Sequence, residues 1–358
     1  VCLKQKKTFY LKQVKTIKVN IRGFVDKGIF GLNVLFGLAL LLSCLVPFIP
    51  NDKAPIVAFF SLGIPILVFA NLIFLLFWLL RRKKQVILSL VVLVISYFSL
   101  SSFFMFRFSE TAVEESDLSI MTFNVRGFNK NEEIKNPNLF EEILDLIKTE
   151  NPDIICFQEF NDNRQKSFSN YKHKYLKYID NKGKVTLAIY SKYPIIHRGL
   201  LNFPESPNNG SFADIVYKKD TIRVYNLHLE SLRIIPGAVA RGQEQSSKLF
   251  KRVSHSFKKQ QEQAALILAH RKSTNYKTIV AGDFNGTEYS NVYKTIKGDD
   301  LKDTFKEKGK GYGRTYNFKY YPVRIDFILA DERFEVVAHK NYDVRLSDHF
   351  PVMASFRW

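Results

Sequence analysis

The hydrophobic pattern divides the chain near residue 110. Ile29 to Ile49, Pro55 to Leu80 and Val86 to Phe106 are uncharged apolar runs without a polar face, the second broken only by Pro65. A helix that is apolar all round is not the surface helix of a soluble domain. At 1.5 Å per residue each run reaches about 30 Å, the thickness of a bilayer's hydrocarbon core. Three transmembrane helices are therefore expected, at about 29–49, 55–80 and 86–106.

Beyond a linker at 107–116 the pattern becomes short apolar strands alternating with amphipathic stretches. Strands are expected at Ser119 to Val125, Asp153 to Gln158, Thr186 to Ser191, Phe212 to Tyr217, Thr221 to Leu227, Thr278 to Ala281, Ile325 to Ala330 and Val352 to Phe356. Helices are expected at Pro137 to Glu150, where Leu139, Ile143, Leu146 and Ile147 share a face, and at Gln243 to Lys272. About eight strands with interspersed helices describe a layered α/β domain over residues 117–358.

Charge sets the orientation. The first 28 residues carry Lys4, Lys6, Lys7, Lys12, Lys15, Lys18, Arg22 and Lys27, and the second loop carries Arg81, Arg82, Lys83 and Lys84. The first loop has only Lys53 offset by Asp52, and the stretch after the third run is acidic. The positive-inside rule then puts the basic N-terminal segment in the cytoplasm and the domain outside it, in a bacterium at the periplasmic or exterior face of the inner membrane. The formal charge of +19 comes mostly from this topology: residues 1–109 carry 14 Lys and Arg against 2 Asp and Glu, and the remainder 39 against 32. The outer domain's excess of 7 is a modest attraction for any polyanion.

Cys2, Cys44 and Cys156 imply no disulfide framework. Leu41-Leu42-Ser43-Cys44 has the form of a bacterial lipoprotein cleavage box, but Leu45 and Val46 continue the apolar run and argue against processing there. The same continuation argues against a cleaved signal peptide. A first residue of Val1 rather than Met is expected of a truncated or miscalled start.

Three strings end strand-like runs with chemical groups: Asp153-Ile-Ile-Cys-Phe-Gln-Glu-Phe160, Gly282-Asp-Phe-Asn285 and Ser347-Asp-His-Phe-Pro351. Polar residues at the C-terminal end of a strand emerge at the sheet rim, where ligand crevices of layered proteins lie. Carboxylates gathered there suit a hard cation such as Mg²⁺. A carboxylate at Asp283 can deprotonate water, and the Asn285 amide, two residues on, points to the same side of an extended segment.

With Ile120-Met-Thr-Phe-Asn-Val-Arg126 upstream and Arg324-Ile-Asp-Phe-Ile-Leu329 between the last two strings, residues 117 to 358 resemble the endonuclease/exonuclease/phosphatase superfamily, a DNase I-like group. The resemblance implies a four-layer α/β sandwich, two mainly antiparallel sheets flanked by helices. It implies Glu159 as the principal ligand of Mg²⁺ or Mn²⁺, with Asn124 and Asp348 beside that metal. Asp283 becomes the base and Asn285 a phosphate donor. Asp326 orients and charges His349, which bonds the phosphate, and His228 contacts phosphate or protonates the leaving oxygen. His173, His197, His255, His270 and His339 lack ligand spacing and are read as surface or core residues, while Asn226 and Glu230, flanking His228, can support the site.

The expected activity is metal-dependent hydrolysis of phosphodiesters by in-line attack of water, at a membrane, with nucleic acid placed ahead of lipid as substrate. The alternatives are a phospholipid or sphingolipid phosphodiesterase, an inositol-type phosphatase, and a non-catalytic scaffold that retains the fold. Three segments bear on substrate choice: Lys166 to Tyr178, where lysines and tyrosines interleave, Ser231 to Ser247, and Gly309 to Tyr321.

Overall fold

The computed structural model describes residues 2–100, 103–109, 111–178, 186–234, 245–318, 321 and 323–358, with side chains from residue 22 onward except at 162 and 178. The chain forms two compact units, one of Val1–Leu45 and Gly63–Ser101, the other of Val46–Leu62 and Ser102–Trp358.

The first unit is helical. It contains α1 (Cys2–Ser43), most of α2 (Pro55–Leu80) and α3 (Val86–Leu100). Polar groups inside an apolar bundle must satisfy one another. Asn33 does this at one level: its Oδ1 accepts from Trp78 Nε1 at 2.9 Å and its Nδ2 donates to Ser89 Oγ at 2.9 Å. Arg81 pairs with Asp26 at 2.9 Å. Two helical stretches are long and apolar enough to cross a membrane, Arg22–Phe48 and Pro55–Leu80. The third expected span is not among them. Helix α3 has 15 residues, about 22 Å at 1.5 Å each. It stops short because the apolar residues that follow are drawn into the other unit: Met105 pairs with Gly311, N to O at 2.8 Å and O to N at 2.9 Å, and Phe104 packs edge-on against Tyr312.

The second unit is a sandwich of two six-stranded sheets. Its elements are β1 (Leu118–Asn124), the short turn α4 (Arg126–Asn129), α5 (Leu139–Glu150), β2 (Ile154–Phe160), β3 (His173–Tyr178), β4 (Thr186–Ser191), β5 (Ile195–Leu200), β6 (Gly210–Tyr217), β7 (Asp220–His228), α6 (Ser246–Arg271), β8 (Lys277–Asp283), α7 (Asn291–Lys297), β9 (Leu301–Asp303), α8 (Thr304–Lys308), β10 (Asp326–Asp331), β11 (Glu335–Asn341) and β12 (Val352–Arg357). One sheet runs β11-β12-β1-β2-β4-β3 and the other β5-β6-β7-β8-β10-β9. Both are mainly antiparallel, with one parallel pair each, β1 with β2 and β7 with β8. Among the described residues there are twelve strands rather than about eight. The four not foreseen, β3, β5, β9 and β11, are the four sheet edges; β3, β5 and β11 mix exposed polar residues with few buried apolar ones, and β9 has only three residues.

Alternation within the strands makes three cores. Ile120, Ile154, Ile189, Val224, Ile279 and Ala354 point between the sheets. Met121, Phe123, Ile155 and Phe157 point out to Ile143 and Ile147 of α5. Tyr225, Leu227 and Val280 point out to Ala264 and Ile267 of α6. The result is the expected order of helix, sheet, sheet, helix.

The register of the second sheet sets its chemistry. His228, Asp283 and Asp326 are level with one another on β7, β8 and β10. Gly282 makes that approach possible, because a Cβ there would lie 2.1 Å from the Leu227 carbonyl oxygen and its φ is +139°. Gly282→Ala should therefore cost roughly 2–5 kcal/mol of stability from backbone strain and overpacking, read as a large fall in the thermal midpoint of the outer domain; an unchanged midpoint contradicts the register.

Candidate active site

Asp283 is the centre of the rim formed by the two sheets, and it is 1% exposed. Its Oδ1 accepts from the backbone N–H of Asn285 at 2.8 Å. Its Oδ2 accepts from Asn124 Nδ2 at 3.1 Å and Asn285 Nδ2 at 3.3 Å. Two imidazoles approach the same oxygen, His228 Nε2 at 3.6 Å and His349 Nε2 at 3.7 Å. Groups from β1, β7, the turn after β8 and the segment before β12 thus converge on one carboxylate.

His349 is held from behind. Its Nδ1 lies 2.9 Å and 3.1 Å from the two Asp326 oxygens, while Asp326 N and Ile325 N donate to Thr315 Oγ1 at 3.0 and 2.9 Å. Burial opposes a charge on the His349 ring, but the carboxylates of Asp326 and Asp283 outweigh it and raise the pKa to about 10. Burial also raises the carboxyl of Asp326, against the pull of His349. Near neutral pH the pair is imidazolium and carboxylate. Tyr316 stacks edge-on to the His349 ring at 4.9 Å, and burial pushes its hydroxyl up to about 12, so that it stays an O–H donor.

Glu159 sits at an irregularity between β2 and β4, in the left-handed conformation with φ 50°. A bulge of this kind re-aims a side chain at a sheet edge. Glu159 Oε1 is 3.4 Å from Asn124 Nδ2 and 3.8 Å from His228 Nε2. The preceding Gln158 faces the other way, into the gap between the sheets. Its Nε2 donates to Asn226 Oδ1 at 2.7 Å and to Thr122 Oγ1 at 3.0 Å, and Asn226 Nδ2 donates to Phe157 O at 2.9 Å and Ala188 O at 3.1 Å. This buried amide pair stitches β2 to β7 directly under Glu159 and His228.

The structure brings together Asn124, Glu159, His228, Asp283, Asn285, Asp326 and His349. Asp348 is placed differently. Its carboxylate is paired with the Arg126 guanidinium, which also holds Glu133. Burial works against the Arg126 charge, yet Asp348 and Glu133 raise its pKa. Asn124 presents its amide nitrogen to the carboxylates and its Oδ1 to the Arg126 backbone N–H at 3.1 Å. Among the described residues, Asp283, Asp326 and His349 form the tightest group of potential metal-ligating side chains, with atoms within 4.8 Å of one another. A cleft of about 440 Å³ opens beside the site, lined by Arg126, Ile234, Tyr316, Asn317, Arg345 and Asp348.

Arg126, Thr315, Tyr316 and Gln158 were not foreseen. Gln158 and Arg126 lie inside quoted strings but look like ordinary strand-end residues there, and Tyr316 belongs to the segment assigned to substrate choice. Of the three such segments, Lys166 to Tyr178 includes edge strand β3; Tyr171 is buried, its hydroxyl donating to Pro152 O at 2.9 Å. Residues 235–244 of the second segment, and 319 and 320 of the third, lie outside the described residues.

Two imidazoles and several carboxylates thus share one rim of a two-sheet sandwich. The chain belongs to the endonuclease/exonuclease/phosphatase family, whose profile matches residues 121–349. A second family, described as a domain of unknown function (DUF8431), matches residues 26–103. No curated protein matches the chain. Among solved structures it is similar to an endonuclease/exonuclease/phosphatase of Bacteroides vulgatus, with 21% identity, 67% of this chain and 98% of that one covered, and a TM-score of 0.52. It is similar to D. rerio TDP2 complexed with a single-strand DNA product, with 17% identity, 68% and 100% covered, and a TM-score of 0.52. It is also similar to a Bacteroides thetaiotaomicron mannosyl-6-phosphatase, with 18% identity, 67% and 100% covered, and a TM-score of 0.51. At these identities the likeness is one of fold.

Removing the Asp326 charge should release His349. In metal-free Asp326→Asn, the imidazole should titrate well below the value near 10 and toward the ordinary value of about 6.5, followed by NMR of the ring protons. The sign for stability follows: a raised His pKa stabilises the fold below the unfolded value and loses that contribution as pH rises toward 10. The wild type should thus lose more stability than Asp326→Asn between neutral pH and pH 10. An unmoved His349 titration contradicts the pairing.

Proposed function

We propose that the outer domain hydrolyses phosphodiester bonds with Mg²⁺ or Mn²⁺, by in-line attack of water on phosphorus, while the N-terminal helices anchor it to a membrane. The observation that carries this is the convergence of two imidazoles and two amide donors on the buried Asp283 carboxylate.

Glu159 would hold the cation, and Asn124 and Asp348 would join it by exchanging the Arg126 contacts that now occupy the Asn124 Oδ1 and the Asp348 carboxylate. The donor set supports a hard ion, since it offers carboxylate and amide oxygens and no thiolate. The contacts of Glu159, at 3.4 and 3.8 Å, leave its carboxylate free to ligate. When bound, such a cation supplies Lewis acidity toward a phosphoryl oxygen and charge opposite the leaving oxygen.

The chain's own groups do the rest. Asp283 takes the proton of the attacking water, its orientation fixed by the Asn285 N–H and the Asn124 amide. His349, kept charged by Asp326, donates from Nε2 to a phosphate oxygen as negative charge builds. Asn285 stands beside it with φ 48°, a conformation tolerated by Asn, and its Nδ2, which here donates to Leu229 O at 3.0 Å and Asp283 Oδ2 at 3.3 Å, would turn to a phosphate oxygen. His228 Nε2, between Glu159 and Asp283, contacts the phosphate or protonates the leaving oxygen.

The Asp26–Arg81 ion pair supports a common side for the basic segments at 1–28 and 81–84, the cytoplasmic one by the positive-inside rule. Val46–Leu62 belongs to the catalytic unit. The end of α2 remote from the basic loop at 81–84 thus belongs to that unit, which supports placing the domain outside the cytoplasm.

The full-length chain in detergent, given bis(4-nitrophenyl) phosphate and Mn²⁺, should turn over and should stop on addition of EDTA. Glu159→Gln should raise the Mn²⁺ concentration for half-maximal rate by roughly tenfold or more. Turnover indifferent to EDTA contradicts the metal-dependent mechanism; a folded protein with no turnover at all favours the scaffold.

A further inference from the structure

The segment that joins the two candidate spans is built into the rim of the active site. Val46–Leu62 belongs to the catalytic unit, and its contacts fall on the loops that carry the site. Thr287 Oγ1, two residues beyond Asn285, donates to Ser61 O at 3.1 Å. The Tyr321 hydroxyl, from the segment that contains Tyr316, donates to Leu62 O at 2.5 Å. Ala58 and Phe59 share a small core with Leu232 and Ile234, which follow His228, and with Val253 and Phe257 of α6. The Phe59 ring lies flat on Phe250 at 5.0 Å and edge-on to Phe257 at 5.3 Å. Ile234 also lines the cleft beside the site.

Helix length fixes where this clasp sits. Eight of the 26 residues of α2 belong to the catalytic unit, which leaves Gly63–Leu80 for the bilayer. Those residues extend about 27 Å, close to the thickness of a hydrocarbon core. Leu62 then lies at the membrane surface, and the loop holding its carbonyl lies there too. Exposed aromatics of the same unit agree: Phe48, Phe106 (75% exposed), Phe108 (96% exposed) and Tyr312 gather on the segments next to the apolar helices. Of these, Tyr312 is of the residue type enriched at a membrane–water interface, and the phenylalanines add exposed apolar surface.

From this arrangement, and resting on the phosphoesterase activity proposed above, we propose that the substrate is a lipid-borne phosphoester drawn from the leaflet at whose surface the Leu62 clasp lies. The headgroup phosphate enters beside Arg345 and Asn317, displacing Glu133 or Asp348 from the Arg126 guanidinium they now share, while the acyl or prenyl part stays in the bilayer on the Ile234 side. Water adds its oxygen to phosphorus and yields its proton to Asp283. The P–O bond to the departing alcohol breaks, and that oxygen takes a proton. The products are a phosphate or phosphate monoester and an alcohol, with no redox change.

Two measurements on the full-length chain in vesicles of phosphatidylethanolamine, phosphatidylglycerol and phosphatidic acid, with Mn²⁺, test this. Long-chain lipids should be hydrolysed faster than their water-soluble dibutyryl counterparts, by about tenfold or more from the raised local concentration. Equal rates, or single-strand DNA as the best substrate, overturn the lipid assignment while leaving the phosphoesterase intact. So does hydrolysis of bis(4-nitrophenyl) phosphate with every lipid untouched. No turnover of any probe overturns both. Independently of activity, a bimane label on Asn317→Cys should be quenched by headgroup nitroxide lipids several-fold more than one on Lys218→Cys, at the opposite end of the β6–β7 hairpin. Equal quenching overturns the interfacial placement.

Discussion

A carboxylate buried where two sheets meet sets the terms for the rest of the outer domain. Burying an unpaired polar group of this kind costs several kcal/mol, and the Asn285 N–H, the Asn124 amide and two imidazoles are brought to Asp283 to offset it. Each donor arrives on a different element, and strand register decides whether it arrives at all. A slip of one residue turns every side chain of a strand to the other face. The level row of His228, Asp283 and Asp326 across three strands is thus both a structural fact and the condition for chemistry.

Three residues of the same rim are strained. Glu159, Asn285 and Arg126 all have positive φ, and each carries a group that faces the site or its cleft. Such conformations cost about 1–3 kcal/mol each and persist only where packing over-determines them. Here the packing is visible. Phe128, in the turn after Arg126 and itself at φ 58°, is wedged against Phe140 at 5.1 Å and Phe160 at 5.3 Å. The Gln158–Asn226 pair fixes the strand beneath Glu159 from the other side.

Much of this was legible in the sequence because it is local. A strand that ends in Gly-Asp-Phe-Asn or Ser-Asp-His announces polar groups at a rim, and the seven residues Asn124, Glu159, His228, Asp283, Asn285, Asp326 and His349 do meet there. What was not legible depends on partners distant in the chain. The pairing of Asp348 with Arg126 joins residues 222 apart. The edge strands β3 and β11 have too few buried positions to stand out from loops. The third apolar run looks long enough to span because composition does not reveal that Phe104 and Met105 pack on Tyr312 and Gly311 instead. Nor does it reveal that Ser61 and Leu62, read as membrane helix, hydrogen-bond to catalytic loops.

These features describe a polar rim whose geometry depends on two sheets, on strained turns and on a segment shared with the apolar helices. The central role of Asp283 is tested most directly by kcat for bis(4-nitrophenyl) phosphate in the full-length Asp283→Asn variant with saturating Mn²⁺, alongside its circular dichroism melt. Loss of the base predicts a fall of about a thousandfold or more, with the fold retained. A variant that melts like the wild type and turns over within a few-fold of it would contradict the account.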